Sequence, residues 1–152
     1  MGTPFELVYD TFLSKITDDM YMELTKQDTE QLLQDLLISA IPWFEFPRQS
    51  LDYDVSAESF VNDLTTEEIN ILATYMVMLW IQQQLASVEN TRMKYSGSDF
   101  KFTSQANHMA KLQAMEKEFE RKGFHLQRLY KRRIIDEHGV PRSSFSTLMS
   151  EN

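Results

Sequence analysis

The sequence predicts a mainly α-helical protein: a four-helix, bundle-like body, an extended loop or small β-hairpin at about residues 42–64, and an extended C-terminal tail. Glycine and proline number only four each in 152 residues, which favours long helices over a fold with many turns. Apolar residues recur at helical spacing through most of the remaining chain. The length is typical of one domain, which we place at residues 1–138, with the arm at 42–64 projecting from it and the tail at 139–152.

Two helices are predicted in the first third of the chain, at residues 4–16 and about 29–41. Asp28 occupies the expected N-cap position of the second helix, and Gln31 occupies its capping-box position. Pro42 should end or kink this helix, because the residue before a proline avoids the helical region. The apolar face of the first helix consists of Phe5, Val8, Phe12 and Ile16.

The third predicted helix, from about residue 66 to 92, is the most unusual segment of the chain. Thr65 and Glu68 form a capping box at its start. Residues 69–81 are apolar on almost every face, so protein or lipid must surround them. This stretch falls short of the roughly 20 apolar residues that a membrane span needs. We therefore expect neighbouring subunits to cover part of it.

The fourth predicted helix begins near Ser104 and ends at about residue 133, after a loop at 93–103. Gly123 is expected to bend it, at a cost of about 1 kcal/mol relative to alanine. A cluster of positive charge at its C-terminal end complements the helix dipole. This basic patch consists of Arg128, Lys131, Arg132 and Arg133.

The arm at residues 42–64 alternates apolar and acidic residues around Phe44–Phe46 and Leu51–Val55, a pattern typical of extended chain. It is either a cover for the chain's own core or an arm that docks on another subunit. The residues expected to make such contacts are Trp43, Phe44, Phe46 and Tyr53.

The C-terminal tail, residues 139–152, is rich in serine and has no regular apolar pattern, so alone it should be disordered. Its apolar side chains are candidate anchors for a groove on a partner protein. These anchors are Val140, Phe145, Leu148 and Met149.

Charge divides the chain into two unlike parts. Residues 1–90 carry 3 basic and 16 acidic side chains, whereas residues 91–152 carry 12 basic and 7 acidic ones. Either the protein is simply dipolar, or the acidic part of one subunit contacts the basic part of the next. Such head-to-tail contacts close into a ring where the rotation permits.

The sequence contains no recognisable catalytic, cofactor-binding or metal-binding motif. The absence of cysteine excludes disulfides and thiolate metal sites. His108, His125 and His138 lack the spacing of zinc ligands. The basic patch allows two interpretations: phosphate contacts with nucleic acid, which would weaken steeply with salt, or dipole complementarity together with pairing to an acidic neighbour.

Residues 64–133 resemble the head–tail connector, or neck adaptor, proteins of tailed bacteriophages. The resemblance rests on the capped segment Leu64-Thr-Thr-Glu-Glu-Ile-Asn-Ile-Leu-Ala, on Met78-Leu-Trp80, on the Ser-Asp-Phe loop and on Ser104-Gln-Ala-Asn-His-Met-Ala-Lys-Leu112. It implies a virion structural protein rather than an enzyme. As an alternative, the basic patch indicates a nucleic-acid-binding packaging or regulatory protein.

The resemblance also implies a location and a set of partners. Neck adaptors assemble in the host cytoplasm as a ring, twelve-fold in this family, that docks on the portal protein at the head–tail junction. The ring extends the DNA channel, lets genomic DNA pass without specific binding and contacts the next neck or tail component. No cofactor and no membrane are implied. In this chain the tail anchors would dock on the portal, and the arm would contact neighbouring subunits or the next neck component.

Overall fold

A computed structural model describes residues 2–16, 26–94, 99–135 and 141–143. Helices dominate it, in a bundle-like arrangement that confirms the predicted fold class. The elements, in chain order, are α1 (Phe5–Lys15), α2 (Lys26–Ala40), a 3₁₀ turn (Ile41–Trp43), β1 (Tyr53–Asp54), β2 (Ser59–Phe60), α3 (Thr66–Lys94), α4 (Asp99–Arg132), β3 (Arg133–Ile135) and β4 (Pro141–Ser143).

Helix α3 is the centre of the molecule and packs against α1, α2 and α4. Every side chain from Ile71 to Met78 is almost completely buried, including the polar Thr74. The Thr74 hydroxyl donates to the carbonyl oxygen of Asn70 at 2.7 Å, which explains how a polar residue fits there. The chain itself therefore covers the apolar helix, and the expectation that neighbouring subunits are needed for this cover is wrong.

The start of α3 follows the sequence prediction closely. The Thr65 hydroxyl accepts from the Glu68 backbone N–H at 3.2 Å, and the Glu68 carboxylate accepts from the Thr65 backbone N–H at 2.8 Å. These reciprocal bonds constitute the capping box. The prediction for Pro42 is also confirmed, because α2 ends at Ala40 and the proline lies in the 3₁₀ turn that follows.

Two predicted helix starts were placed too late. Helix α2 begins at Lys26, so Asp28 lies inside the helix rather than at its N-cap, and Gln31 bonds to Asp35 at 3.0 Å instead of capping. Helix α4 begins at Asp99, which places Phe100 inside the helix and not in a loop.

The segment at 42–64 lies against the body instead of projecting from it. Strands β1 and β2 pair antiparallel, and Pro4 forms a bridge with Ser59. The residues preceding α1 attach to the same hairpin: Phe60 donates its N–H to the Thr3 carbonyl at 2.8 Å, and the Thr3 hydroxyl accepts from Leu64 N–H at 2.7 Å. The segment therefore covers part of the chain's own core with Phe44, Leu51 and Phe60, while contact with another subunit stays a prediction for its exposed residues.

The beginning of the C-terminal tail folds back on the end of α4. Strand β4 pairs antiparallel with β3, and the register places Ser143 opposite Arg133, the first residue after α4. The expectation of a wholly unpatterned tail is therefore corrected for Pro141–Ser143. The predicted anchors Val140, Phe145, Leu148 and Met149 lie outside the described residues.

Candidate functional site

Exposed large hydrophobic side chains mark the candidate interaction surfaces, since water does not favour them and binding can bury them. Among the described residues they fall in three places: beside the end of α4, on the β1–β2 hairpin and along α1. They are Phe46 and Phe124, then Tyr53, Val55 and Val61, and finally Leu7.

The first place is a mixed basic and aromatic surface, which we call the basic–aromatic surface: Phe46, Phe124, Arg128, Lys131 and Arg132. The Phe46 side chain is 63% exposed, and the Lys131 ammonium nitrogen lies 4.7 Å from the centre of its ring. A cavity of about 360 Å³ opens between the two phenylalanines and is lined by both Arg128 and Lys131. An incoming carboxylate or phosphate would meet two cations and two apolar rings here, together with the carboxylate of Glu45, which also lines the cavity.

Helix α4 holds Phe46 in place through its neighbours. Gln127 Nε2 donates to the carbonyl oxygen of Trp43 at 2.9 Å, and Gln127 Oε1 accepts from the Glu45 N–H at 2.9 Å. The amide group of Gln127 thus fixes the backbone on both sides of Phe44. The buried Phe44 ring packs edge-on against the Tyr130 ring, with 5.1 Å between ring centres. The segment that presents Phe46 is therefore anchored to the same helix that carries the cations.

Beneath this surface lies a buried polar cluster. The Tyr130 hydroxyl donates to Glu68 Oε2 at 3.0 Å and accepts from the Arg48 backbone N–H at 2.8 Å. Gln49 Nε2 donates to the other Glu68 oxygen at 2.8 Å, so the carboxylate, only 1% exposed, remains hydrogen-bonded. The Arg48 guanidinium lies over the Tyr130 ring at 4.0 Å and donates to the Tyr130 carbonyl.

Burial also affects the ionisation of this cluster. Removal from water disfavours the charged form of a phenol. Burial therefore raises the pKa of Tyr130 to about 12, while the hydrogen bond from Arg48 N–H opposes the rise and the negative charge of Glu68 adds to it. The tyrosine stays a neutral hydrogen-bond donor to Glu68 at physiological pH, and through this bond the cluster connects the end of α4 to the start of α3.

The second place, which we call the acidic hairpin surface, combines exposed apolar and acidic side chains. Tyr53, Val55 and Val61 are exposed, and so are the acidic side chains that alternate with or flank them. Those acidic residues are Asp52, Asp54, Glu58 and Asp63. In charge this surface is the opposite of the basic–aromatic surface, and both carry apolar groups among their charges.

The four residues predicted to form a contact arm differ in how far they are buried. Phe44 is buried, and the half-buried Trp43 is stacked on Tyr75 with 5.7 Å between ring centres. Of the four, only Phe46 and Tyr53 are exposed enough to contact a partner. Phe46 belongs to the basic–aromatic surface and Tyr53 to the acidic hairpin surface. In an extended segment, successive side chains point to opposite faces. The alternating sequence pattern alone did not show which of these side chains face the core.

The predicted basic patch is partly assembled. Arg128, Lys131 and Arg132 are exposed at the end of α4. Arg133 is the first residue of β3, and its side chain is outside the described part. Sequence reasoning missed the connection between Lys131 and Phe46, because no local pattern joins residues 85 positions apart.

The described ranges give no support to a metal site or to a membrane-crossing helix. His108 and His125 are exposed, and no group of three or more acidic or histidine side chains in the described residues is placed to hold a metal ion. His138 lies outside them. None of the helices, over the residues described, combines the length and the apolar character of a membrane-crossing segment.

Comparison with known proteins adds no relative to this description. No protein-family model, no curated protein and no solved structure matches the chain.

Proposed function

We propose that this chain is a structural protein of a bacteriophage neck, which assembles into a ring, docks on the portal, extends the DNA channel and joins head to tail. Two lines support the proposal: the resemblance of residues 64–133 to neck adaptors and the pair of surfaces described above. In this account the protein acts by assembly, within the virion, and performs no catalysis.

The observation that carries the proposal is the complementarity between the basic–aromatic surface and the acidic hairpin surface. One presents cations beside exposed phenylalanines, and the other presents carboxylates beside exposed tyrosine and valines. Complementary charge directs association and excludes wrong orientations, while the apolar groups supply area to bury. Contact between two different surfaces of the same chain is head-to-tail, and it closes into a ring where the rotation between subunits permits.

The C-terminal tail serves the second contact in this proposal, the one with the portal. It leaves the body beside the end of α4, because β4 pairs with β3 directly after that helix. Removal of residues 144–152 keeps the β3–β4 pairing, so it tests the tail without removing a described element. We expect the truncated protein to keep its helical circular dichroism and to lose portal binding. Normal binding by the truncated protein would contradict the assignment of the tail.

The ring contact is tested by reversing one charge on the basic–aromatic surface. Lys131→Glu places a carboxylate beside Phe46 and should repel the acidic hairpin surface of the neighbour. The matched control is Lys117→Glu, a charge reversal at another exposed lysine of α4. We expect the molecular mass of the assembly with portal, measured by light scattering at about physiological salt, to fall only in the Lys131 variant. Equal masses for both variants would refute the contact.

A second candidate function is nucleic-acid binding, which the exposed Phe46 and Phe124 rings beside Arg128 and Lys131 favour. Aromatic side chains stack on unpaired bases, while cations contact the phosphates. This function predicts binding to DNA that weakens steeply with salt and is reduced by Arg132→Ala. If neither single- nor double-stranded DNA bound at low salt, this candidate would be eliminated, and assembly would remain.

A further inference from the structure

The third place with an exposed apolar side chain is a groove that neither function above uses. It has a volume of about 650 Å³ and lies where α1, the start of α3 and the end of α4 meet. Leu7 of α1 is 49% exposed at its edge. The other lining residues are Thr11, Thr66, Glu67, Ile69, Asn70, Leu126 and Leu129.

The groove is separate from the basic–aromatic surface. Successive residues of an α-helix are rotated by about 100°, so Leu126 and Leu129 project from a different face of α4 than Arg128 and Lys131. The lining on the α4 side is leucine, with no charged group from that helix. The α3 side adds Ile69 and the carboxylate of Glu67, so the groove offers apolar contacts beside one acidic group. Docking of an acidic surface on the other face of α4 leaves the groove open.

The path of the chain brings one segment to this groove. Ser143 pairs with Arg133 and so lies about 5 Å from it, one strand spacing away. Leu129 is four residues before Arg133, which is about 6 Å along a helix. Nine residues follow Ser143, and an extended chain of that length reaches about 30 Å. Residues 144–152 therefore follow a residue paired next to the end of α4 that lines the groove, and they are long enough to reach it.

The side chains of that segment match the groove. Phe145, Leu148 and Met149 are its large apolar residues, at relative positions i, i+3 and i+4. Residues with this spacing share one face when a segment is helical, which is the arrangement used by helices that bind in apolar grooves. The short connection from Ser143 gives the segment a high effective concentration at its own groove, which favours it over the same segment of a second copy.

We infer that, in the free protein, residues 144–152 bind in the groove of their own chain through Phe145, Leu148 and Met149. The occupant covers Leu7, Ile69, Leu126 and Leu129 and so removes an exposed apolar edge from water. This inference does not depend on the proposed function. If the tail does bind a portal, that partner must compete with the groove for the same three side chains.

Engineered disulfides test this placement directly, since the natural chain contains no cysteine. The test variant carries Thr11→Cys in the groove and Leu148→Cys in the terminal segment. Its control carries Ala114→Cys with Leu148→Cys, because Ala114 is exposed on α4 about 22 Å before Leu129. Under mild oxidation of the full chain, we expect the test variant to form an intrachain disulfide at least about tenfold faster than the control.

Two further measurements keep the result interpretable. Circular dichroism and thermal unfolding of both reduced variants show that each is folded before its disulfide rate is compared. Adding Phe145→Ala to the test variant should slow closure towards the control rate, because it removes one anchor. Equal rates for test and control variants would overturn the inference, and so would a disulfide that links two chains instead of closing within one.

Discussion

Replacement of Gly123 by alanine should destabilise the protein, although the same change in most helices is stabilising. In a helix interior, alanine is favoured over glycine by about 1 kcal/mol. In α4, however, a Cβ at residue 123 would lie 2.6 Å from Cζ and 2.7 Å from Cε1 of Tyr75. Those distances are far below van der Waals contact, so either the tyrosine ring or the helix must move.

The Tyr75 ring has little freedom to move. It is completely buried, is stacked on Trp43 at 5.7 Å, and its hydroxyl accepts a hydrogen bond from Gln127. Overpacking of a core costs about 1–3 kcal/mol. Because the helix-propensity gain offsets about 1 kcal/mol of this, we expect Gly123→Ala to lower the free energy of unfolding by up to about 2 kcal/mol, measured by urea denaturation followed by circular dichroism.

A double-mutant cycle separates the two contributions. In a Tyr75→Leu background the ring is absent, and only the helix-propensity gain should remain, so Gly123→Ala should stabilise by up to about 1 kcal/mol. Stabilisation by Gly123→Ala in the natural background would refute the reasoning, since it would mean that the ring and α4 separate freely. Equal destabilisation in both backgrounds would refute it too, because the ring would not be the cause.

Three further predictions concern the polar groups around α3. Tyr130→Phe removes the hydroxyl that donates to the buried Glu68. It should lower the free energy of unfolding by about 2 kcal/mol, which is typical of a hydrogen bond to a charged group. As a control, the same change at the exposed Tyr53 should lower it by less than about 0.5 kcal/mol in the same urea denaturation assay. Thr65→Ala removes the hydroxyl of the capping box and should cost about 1 kcal/mol, whereas no loss would show that the Glu68 side alone caps α3. Burial raises the pKa of both Tyr9 and Tyr130 to about 12, above the ordinary value of 10.0. Folding therefore favours their neutral forms: the stabilisation is complete below pH 10 and is lost as the pH rises towards 12. Alkaline denaturation series should show this fall, and it should be smaller in Tyr130→Phe; a stability independent of pH in that window would contradict the shifts.

Local features of this fold could be predicted from the sequence because local interactions produce them. The spacing of Phe5, Val8 and Phe12 predicts α1 and its buried face, and all three are buried. Thr65 and Glu68 are three residues apart, so their capping box is readable without knowledge of the fold. The errors at the starts of α2 and α4 occurred where turn-forming residues lie inside a first helical turn.

Features that depend on distant contacts could not be predicted. The sequence assigns Glu68 to a cap, but its burial against Tyr130 requires residues 62 positions apart to meet. The attachment of the segment around Phe46 to Gln127 is of the same kind. The apolar character of α3 was read correctly, yet the source of its cover was not, because composition does not tell whether one chain or several surround a helix. Of the candidate sites, the cations of α4 and the exposed Phe46 were each predicted, but their contact with one another and the part of Phe124 were not.

The most direct test of the central claim is the solution mass of the purified protein, measured alone and after mixing with the portal protein of the same genome. Assembly through the two complementary surfaces and the tail predicts a large complex that contains both proteins, and a lower mass for the Lys131→Glu variant than for Lys117→Glu. A monomer whose mass is unchanged by portal would contradict the proposal of a docking neck protein.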